Sequence, residues 1–194
     1  MKQALVVDCC IRGRESRTKQ LLDAFCASLG GEYEQTHLDL QRENLRYFTE
    51  GYLDERQKLL EKHELDHPRF RYAHQFAQAD LIVIAAPFWD LSFPALLKVY
   101  IEQISLDGIT FTTQTGALTG SCRAKHLVFL TTRGGFYTGD AMEMGSRYMD
   151  ALHTFFGIGE YTCIAADGMD VQGFDGEKSL DDAKREATAL AARL

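Results

Sequence analysis

Residues 79–104 read ADLIVIAAPFWDLSFPALLKVYIEQI, and their pattern changes twice along the way. Residues 81–86 form a nearly unbroken apolar run, which suits a strand covered on both faces in a parallel sheet rather than one half-exposed in an antiparallel sheet. Pro87 ends that run. Farther on, Leu96, Leu97, Tyr100, Ile101 and Ile104 recur on one face of a helix, with Ser92 as its predicted cap and Pro94 in its first turn. Between strand and helix lie Pro87, Phe88, Trp89, Asp90 and Leu91, which include the only tryptophan. A loop placed at the carboxyl end of a parallel strand is where open α/β sheets bind ligands.

Outward from this unit the alternation continues. Residues 4–7 are apolar and lead through the polar loop CCIRGRESRT into a helical stripe of Leu21, Leu22, Phe25, Cys26 and Leu29. Gly30 and Gly31 are expected to stop that helix, and residues 32–40 alternate weakly, as a second strand. The charged crossover 41–78 predicts two helices broken near His67 and Pro68. On the other side, the threonine-rich insertion 107–119 predicts a small hairpin or flap. A further strand over 126–132 runs into Thr132, Arg133, Gly134 and Gly135, and a helix follows with Tyr148, Met149, Leu152, Phe155 and Phe156 on one face. The fifth strand spans 161–166. Ser179 and Asp182 predict a capping box for a last helix that turns Ala183, Ala187, Leu190, Ala191 and Leu194 inward.

Strands alternating with helices imply right-handed crossovers and a three-layer α/β sandwich. Five strands, each followed by a helix, favour a parallel sheet of order 2-1-3-4-5, with helices on both faces, over the six-stranded dinucleotide-binding arrangement. At 194 residues, one domain spanning 1–194 is large enough to bury its own core. The net charge of −7 argues against a general nucleic-acid or anionic-membrane binder, which needs a basic face. Cys9, Cys10, Cys26, Cys122 and Cys163 are odd in number and lack C-x-x-C spacing, so reduced thiols and a cytoplasmic protein are expected. No run approaches the roughly 18 apolar residues of a membrane span.

In that order the loops after strands 1, 3 and 4 meet at one edge. The first offers Ser16 and Thr18 hydroxyls at a helix start, the arrangement that binds phosphate, with Arg12, Arg14 and Arg17 making it locally basic. The second offers aromatic walls for a flat heterocycle. The third combines backbone room at Gly134 and Gly135 with positive charge on Arg133. Each loop also has an ordinary reading, as a solvated serine-capped loop, as core aromatics or as a plain glycine turn. Their convergence favours one shared site.

At these residues the chain resembles the FMN-dependent NADH-azoreductase and NAD(P)H:quinone oxidoreductase family of the flavodoxin-like fold. The first loop is similar to that family's phosphate loop, which implies Ser16, Arg17 and Thr18 around the FMN phosphate and Cys9 near it. Residues 79–104 look like its flavin-embracing segment, implying that Pro87, Phe88, Trp89, Asp90 and Leu91 line the isoalloxazine. G-I-T-F at 108–111, L-T-G at 118–120 and T-T-R-G-G at 131–135 also correspond, the last setting Thr132, Arg133, Gly134 and Gly135 beside the pyrimidine ring. The resemblance implies tightly bound, non-covalent FMN, NADH or NADPH as donor, a quinone or azo acceptor, ping-pong hydride transfer, no catalytic protein nucleophile and a homodimer. Phe111, Phe136 and Tyr137 are candidates for the acceptor wall. Two departures stand out: Asp90 replaces a common asparagine, and Cys9 a frequent serine.

Other signals carry less. His63, Glu64 and His67 match H-E-x-x-H, but Pro68 ends any helix there, and Phe70 and Ala73 stand where a longer zinc motif needs glycine and histidine. Adjacent Cys9 and Cys10 would make a strained disulfide. Ser16 lacks the G-x-S-x-G context of a hydrolase. An electron carrier, or an FMN-binding module that does not oxidise NAD(P)H, is the alternative function.

Overall fold

The computed structural model describes residues 1–113 and 116–194. Five parallel strands form the central sheet: β1 (Lys2–Asp8), β2 (Tyr33–Asp39), β3 (Leu81–Ala85), β6 (His126–Thr132) and β7 (Glu160–Ala166). Two short strands, β4 (Phe111–Thr112) and β5 (Thr119–Gly120), pair antiparallel outside it. The sheet order is β2-β1-β3-β6-β7; counting only the sheet's own strands, this is the expected 2-1-3-4-5. Every residue of β3 and β6 is buried, as their position inside the sheet requires. By contrast β2 exposes much of itself at one edge, hence its weak sequence pattern.

Alternating side chains feed two separate cores. Leu5, Val7, Ile82, Ile84, Leu127 and Phe129 face one side. There they pack on α3 (Arg71–Gln78), α4 (Ala95–Ile104) and α5 (Gly145–Phe156) through Phe76, Tyr100, Ile101, Met149 and Phe156. Ala4, Val6, Leu81, Val83, Val128 and Leu130 face the other side. Their partners are Leu21, Leu22 and Phe25 of α1 (Arg17–Ser28) and Leu180, Ala183, Ala187 and Leu190 of α6 (Gly176–Ala191). Each fully buried leucine or phenylalanine contributes about 1.5–3 kcal/mol of transfer free energy. The long crossover contains α2 (Glu50–Glu61), a 3₁₀ turn at Pro68–Phe70 and then α3, so the expected break at His67 and Pro68 is present.

Several helix boundaries differ from the sequence reading. Pro94, not Ser92, stands at the start of α4, which has no side-chain cap; Ser92 instead exchanges two backbone hydrogen bonds with Trp89. Helix α1 ends in an extended Leu29, and neither Gly30 nor Gly31 adopts positive φ, so the stop is not a left-handed glycine cap. Asp175 caps α6 by accepting from the Lys178 N–H at 3.0 Å. Ser179 lies one turn inside that helix and donates to the Asp167 carbonyl. The His63–His67 stretch is a turn beyond the end of α2, and His67 Nδ1 accepts from the Arg69 N–H. The two imidazoles therefore never stack one helical turn apart. In the insertion β4 and β5 pair antiparallel, as the expected hairpin requires; residues 114 and 115 lie outside the described residues. Among the described residues, no helix is long and apolar enough to cross a membrane.

Candidate active site

The carboxyl ends of β1, β3, β6 and β7 open into a cavity of about 470 Å³. Its floor begins at α1. A helix start leaves its first N–H groups without intrahelical acceptors; Ser16 Oγ takes that of Lys19, and the N–H groups of Arg17 and Thr18 have no acceptor among the described residues. Thr18 is fully buried, and its hydroxyl lies 2.7 Å from the Thr132 hydroxyl across the sheet. A helix dipole with such donors is the arrangement that suits an anion.

The wall is the loop after β3. Phe88 N–H donates to the Thr132 carbonyl, and its ring lies 4.6 Å from the Tyr137 ring centre. Trp89 and Ser92 close a two-residue turn by mutual backbone bonds of 3.1 and 2.8 Å. Its central residues, Asp90 and Leu91, have φ of 48° and 65°, the sign that a type I′ turn demands. A leucine held there costs roughly 1–2 kcal/mol. The Leu91 carbonyl accepts from the Met144 N–H at 3.0 Å, which holds the turn in place.

Glycines form the third side. A Cβ at Gly134 would lie 2.8 Å from Asp170 Oδ2, and one at Gly135 3.0 Å from the Tyr137 ring, so the backbone is bare where it faces the cavity. Behind it sits Arg133, only 3% exposed. Its Nη1 donates to Asp167 and Thr138 at 3.1 Å, and its Nη2 lies 3.4 Å from Glu143. Its Nε is buried without a partner among the described residues. Burial alone would raise the Asp167 carboxyl, but the N–H groups of Thr138 and Tyr137, with the Thr138 hydroxyl and Arg133, hold it below the ordinary range.

Of the residues singled out in the sequence, Ser16, Arg17, Thr18, Pro87, Phe88, Trp89, Asp90, Leu91, Thr132, Arg133, Gly134, Gly135 and Tyr137 all line this one cavity. Three do not. Cys9 is wholly buried in the core, and burial, then the neighbouring Asp8, pushes its thiol up to about 12; it is a packing residue. Phe111 packs on Phe155 instead. Phe136 stands exposed, edge-to-face with Phe174. The local basicity expected of the first loop is reduced, because Arg12 pairs with Glu15 and Arg17 with Asp170, while Arg14 lies outside this cavity. Met169 and Asp170 are lining residues that the motifs do not reveal. They follow β7, which neighbours β6, so sheet order was the available signal.

A family model described as flavodoxin-like fold matches residues 2–191. An FMN-dependent NADH:quinone oxidoreductase of Clostridium perfringens is 36% identical over 183 residues, covering 93% of this chain and 92% of the relative. The chain belongs to the family of FMN-dependent NADH:quinone oxidoreductases and azoreductases. Another such oxidoreductase, from Clostridium acetobutylicum, is 40% identical over 186 residues, with 89% and 90% covered. Among solved structures, an azoreductase from Bacillus anthracis superposes with a TM-score of 0.89 at 25% identity, over 100% of both chains. A Bacillus anthracis FMN-dependent NADH-azoreductase, crystallised with FMN, shares the fold at a TM-score of 0.86 and 21% identity, with 100% and 99% covered. The fold is therefore that of the flavodoxin-like azoreductases.

Proposed function

We propose that the chain is an FMN-dependent NAD(P)H oxidoreductase that reduces quinones or azo compounds by ping-pong hydride transfer. One observation carries this reading: anion-binding N–H groups and a slot walled by Phe88, Trp89 and Tyr137 share a single cavity. The residues present fit FMN. Ser16, Arg17 and Thr18 would hold its phosphate, while residues 87–91 and 132–135 would flank its ring, with bare glycine backbone and the unpartnered Arg133 Nε on one side. Bound FMN supplies the two-electron chemistry, alternating between a nicotinamide and the acceptor. The chain itself would bind, orient and shield, with Tyr137 and Trp89, which line the cavity, beside the place where donor and acceptor take turns.

The purified protein should show the flavin absorption band, lose it on adding NADH and recover it on adding a quinone. A colourless protein that takes up no FMN overturns the proposal. Titration with NADH and with NADPH identifies the donor. The five free thiols fit a reducing cytoplasm. Pairing of two copies through the crossover that contains α2 and α3 completes the reading, and sedimentation velocity tests it.

Two substitutions probe the cofactor contacts. Ser16→Ala combined with Thr18→Ala should weaken FMN binding by about 1–3 kcal/mol. Loss of the Ser16 cap costs about a further 1 kcal/mol in folding stability. Fluorescence titration with FMN checks the first effect, and unchanged affinity would place the phosphate elsewhere. Asp90→Asn should raise the midpoint potential of bound FMN, because an adjacent carboxylate disfavours the added negative charge of the reduced ring. Asparagine tolerates positive φ, so the turn survives. A redox titration in which the potential stays put would show the carboxylate turned away from the ring.

A further inference from the structure

The charge balance of the cavity narrows the class of acceptor. Each of its three arginines is already met by a carboxylate: Arg12 by Glu15 at 3.6 Å, Arg17 by Asp170 at 2.8 Å, and Arg133 by Asp167 at 3.1 Å and Glu143 at 3.4 Å. The last arginine faces two carboxylates, so that group carries a net charge of about −1. Asp90 adds another negative charge on the cavity lining, and none of the ion pairs among the described residues includes it. Its position is fixed, since it occupies the first central place of the turn that Trp89, Ser92 and Met144 hold by backbone bonds. Around it the rim is apolar: Trp89 and Leu91 are about 40% exposed, at 41% and 40%. No uncompensated cation remains among the described lining residues to receive a sulfonate or carboxylate.

We infer that the acceptor site selects uncharged aromatic acceptors and discriminates against anionic ones, with Asp90 as the main specificity-determining residue. The inference rests on the proposed oxidoreductase function, and a bound phosphate monoester would only deepen the negative field. NADH is compatible with it, because the charges of the dinucleotide lie on its phosphates rather than on the reacting ring.

The test compares two azo dyes that share a chromophore and differ by one charge: 4-(dimethylamino)azobenzene-4′-carboxylate and its methyl ester. With saturating NADH, FMN-loaded protein and pH 7.5, kcat/KM should favour the ester by about fivefold or more at low salt. The preference should shrink as salt rises, since the screening length falls from about 30 Å at 0.01 M to about 3 Å at 1 M. Asp90→Asn should lower the ester-to-acid ratio by about threefold. That ratio cancels changes in flavin potential and in the nicotinamide half-reaction. Binding of each dye, read from quenching of Trp89, the only tryptophan, gives the same ratio without turnover. A protein that binds the dyes with this preference but does not reduce them overturns the proposed function alone. Equal use or binding of the two dyes, preference for the acid, or a ratio that Asp90→Asn leaves unmoved overturns the inference.

Discussion

Arg133→Met should lower folding stability by about 3–5 kcal/mol, because it leaves buried carboxylates without their counter-charge. Glu143 and Asp167 converge on this one guanidinium, and the Glu143 and Arg133 side chains are only 5% and 3% exposed. The damage would spread through what those carboxylates hold. Glu143 accepts from the N–H and hydroxyl of Ser146 in the first turn of α5, while Asp167 accepts from the N–H groups of Tyr137 and Thr138. The Arg133 guanidinium also lies 5.7 Å from the Phe88 ring centre. Loosening it therefore releases both the aromatic wall and the glycine loop, and FMN affinity should fall at least tenfold, about 1.4 kcal/mol. Urea unfolding and FMN titration measure the two effects. Full stability with intact FMN binding would show that the cluster is dispensable.

The same cluster has a pH signature. Asp167 titrates below the ordinary carboxylate range in the folded protein. Its contribution is therefore complete above the unfolded-state value of about 4 and is lost as pH falls through the lower folded-state value. Asp167→Asn should make stability less sensitive to acid below about pH 4.

The architecture was legible wherever burial imposed a period. Residues 81–86 and 127–130 had to be apolar to sit in the middle of the sheet, and their runs announced it. The edge strand β2 is half solvated, so its pattern was faint. Helix ends were less readable because several residues nearby are chemically able to cap: Asp175 and Ser179 both suit the role at α6, and only the path of the chain selects Asp175. At the site, loops adjacent to a strand end were found by topology and motif together. Charge was misread for a physical reason. Arg12, Arg17 and Arg133 are visible in the sequence, but two of their principal partners are remote from them, Asp170 lying 153 positions from Arg17 and Asp167 lying 34 from Arg133, and both are brought in by β7. A count of local arginines reports potential; the paired structure reports what is left of it.

Gly120→Ala should destabilise the fold without touching the cofactor site. An alanine Cβ at Gly120 would lie 2.0 Å from the Gly157 nitrogen and 2.1 Å from the Phe156 carbonyl carbon. Those are backbone atoms, which have no rotamer to move aside. Gly157 is itself the left-handed cap of α5, at φ 72°, so the two glycines let β5 lie directly on the helix end. The contact is reinforced by the Cys122 N–H donating to the Phe156 carbonyl at 3.0 Å and by Phe111 packing on Phe155 at 4.8 Å. Overpacking of this kind costs about 3 kcal/mol, which for a chain of this size lowers Tm by about 6–12 °C. Gly157→Ala should cost less, roughly 1–2 kcal/mol for the left-handed conformation, plus a contact of 2.9 Å with the Gly120 carbonyl oxygen. Neither glycine lines the cavity, so FMN affinity measured well below Tm should stay within about twofold, a difference of about 0.4 kcal/mol. Thermal unfolding beside FMN titration therefore separates this variant from Arg133→Met, which loses both. An alanine at 120 that melts like the wild type would mean that the hairpin does not rest on α5 in solution.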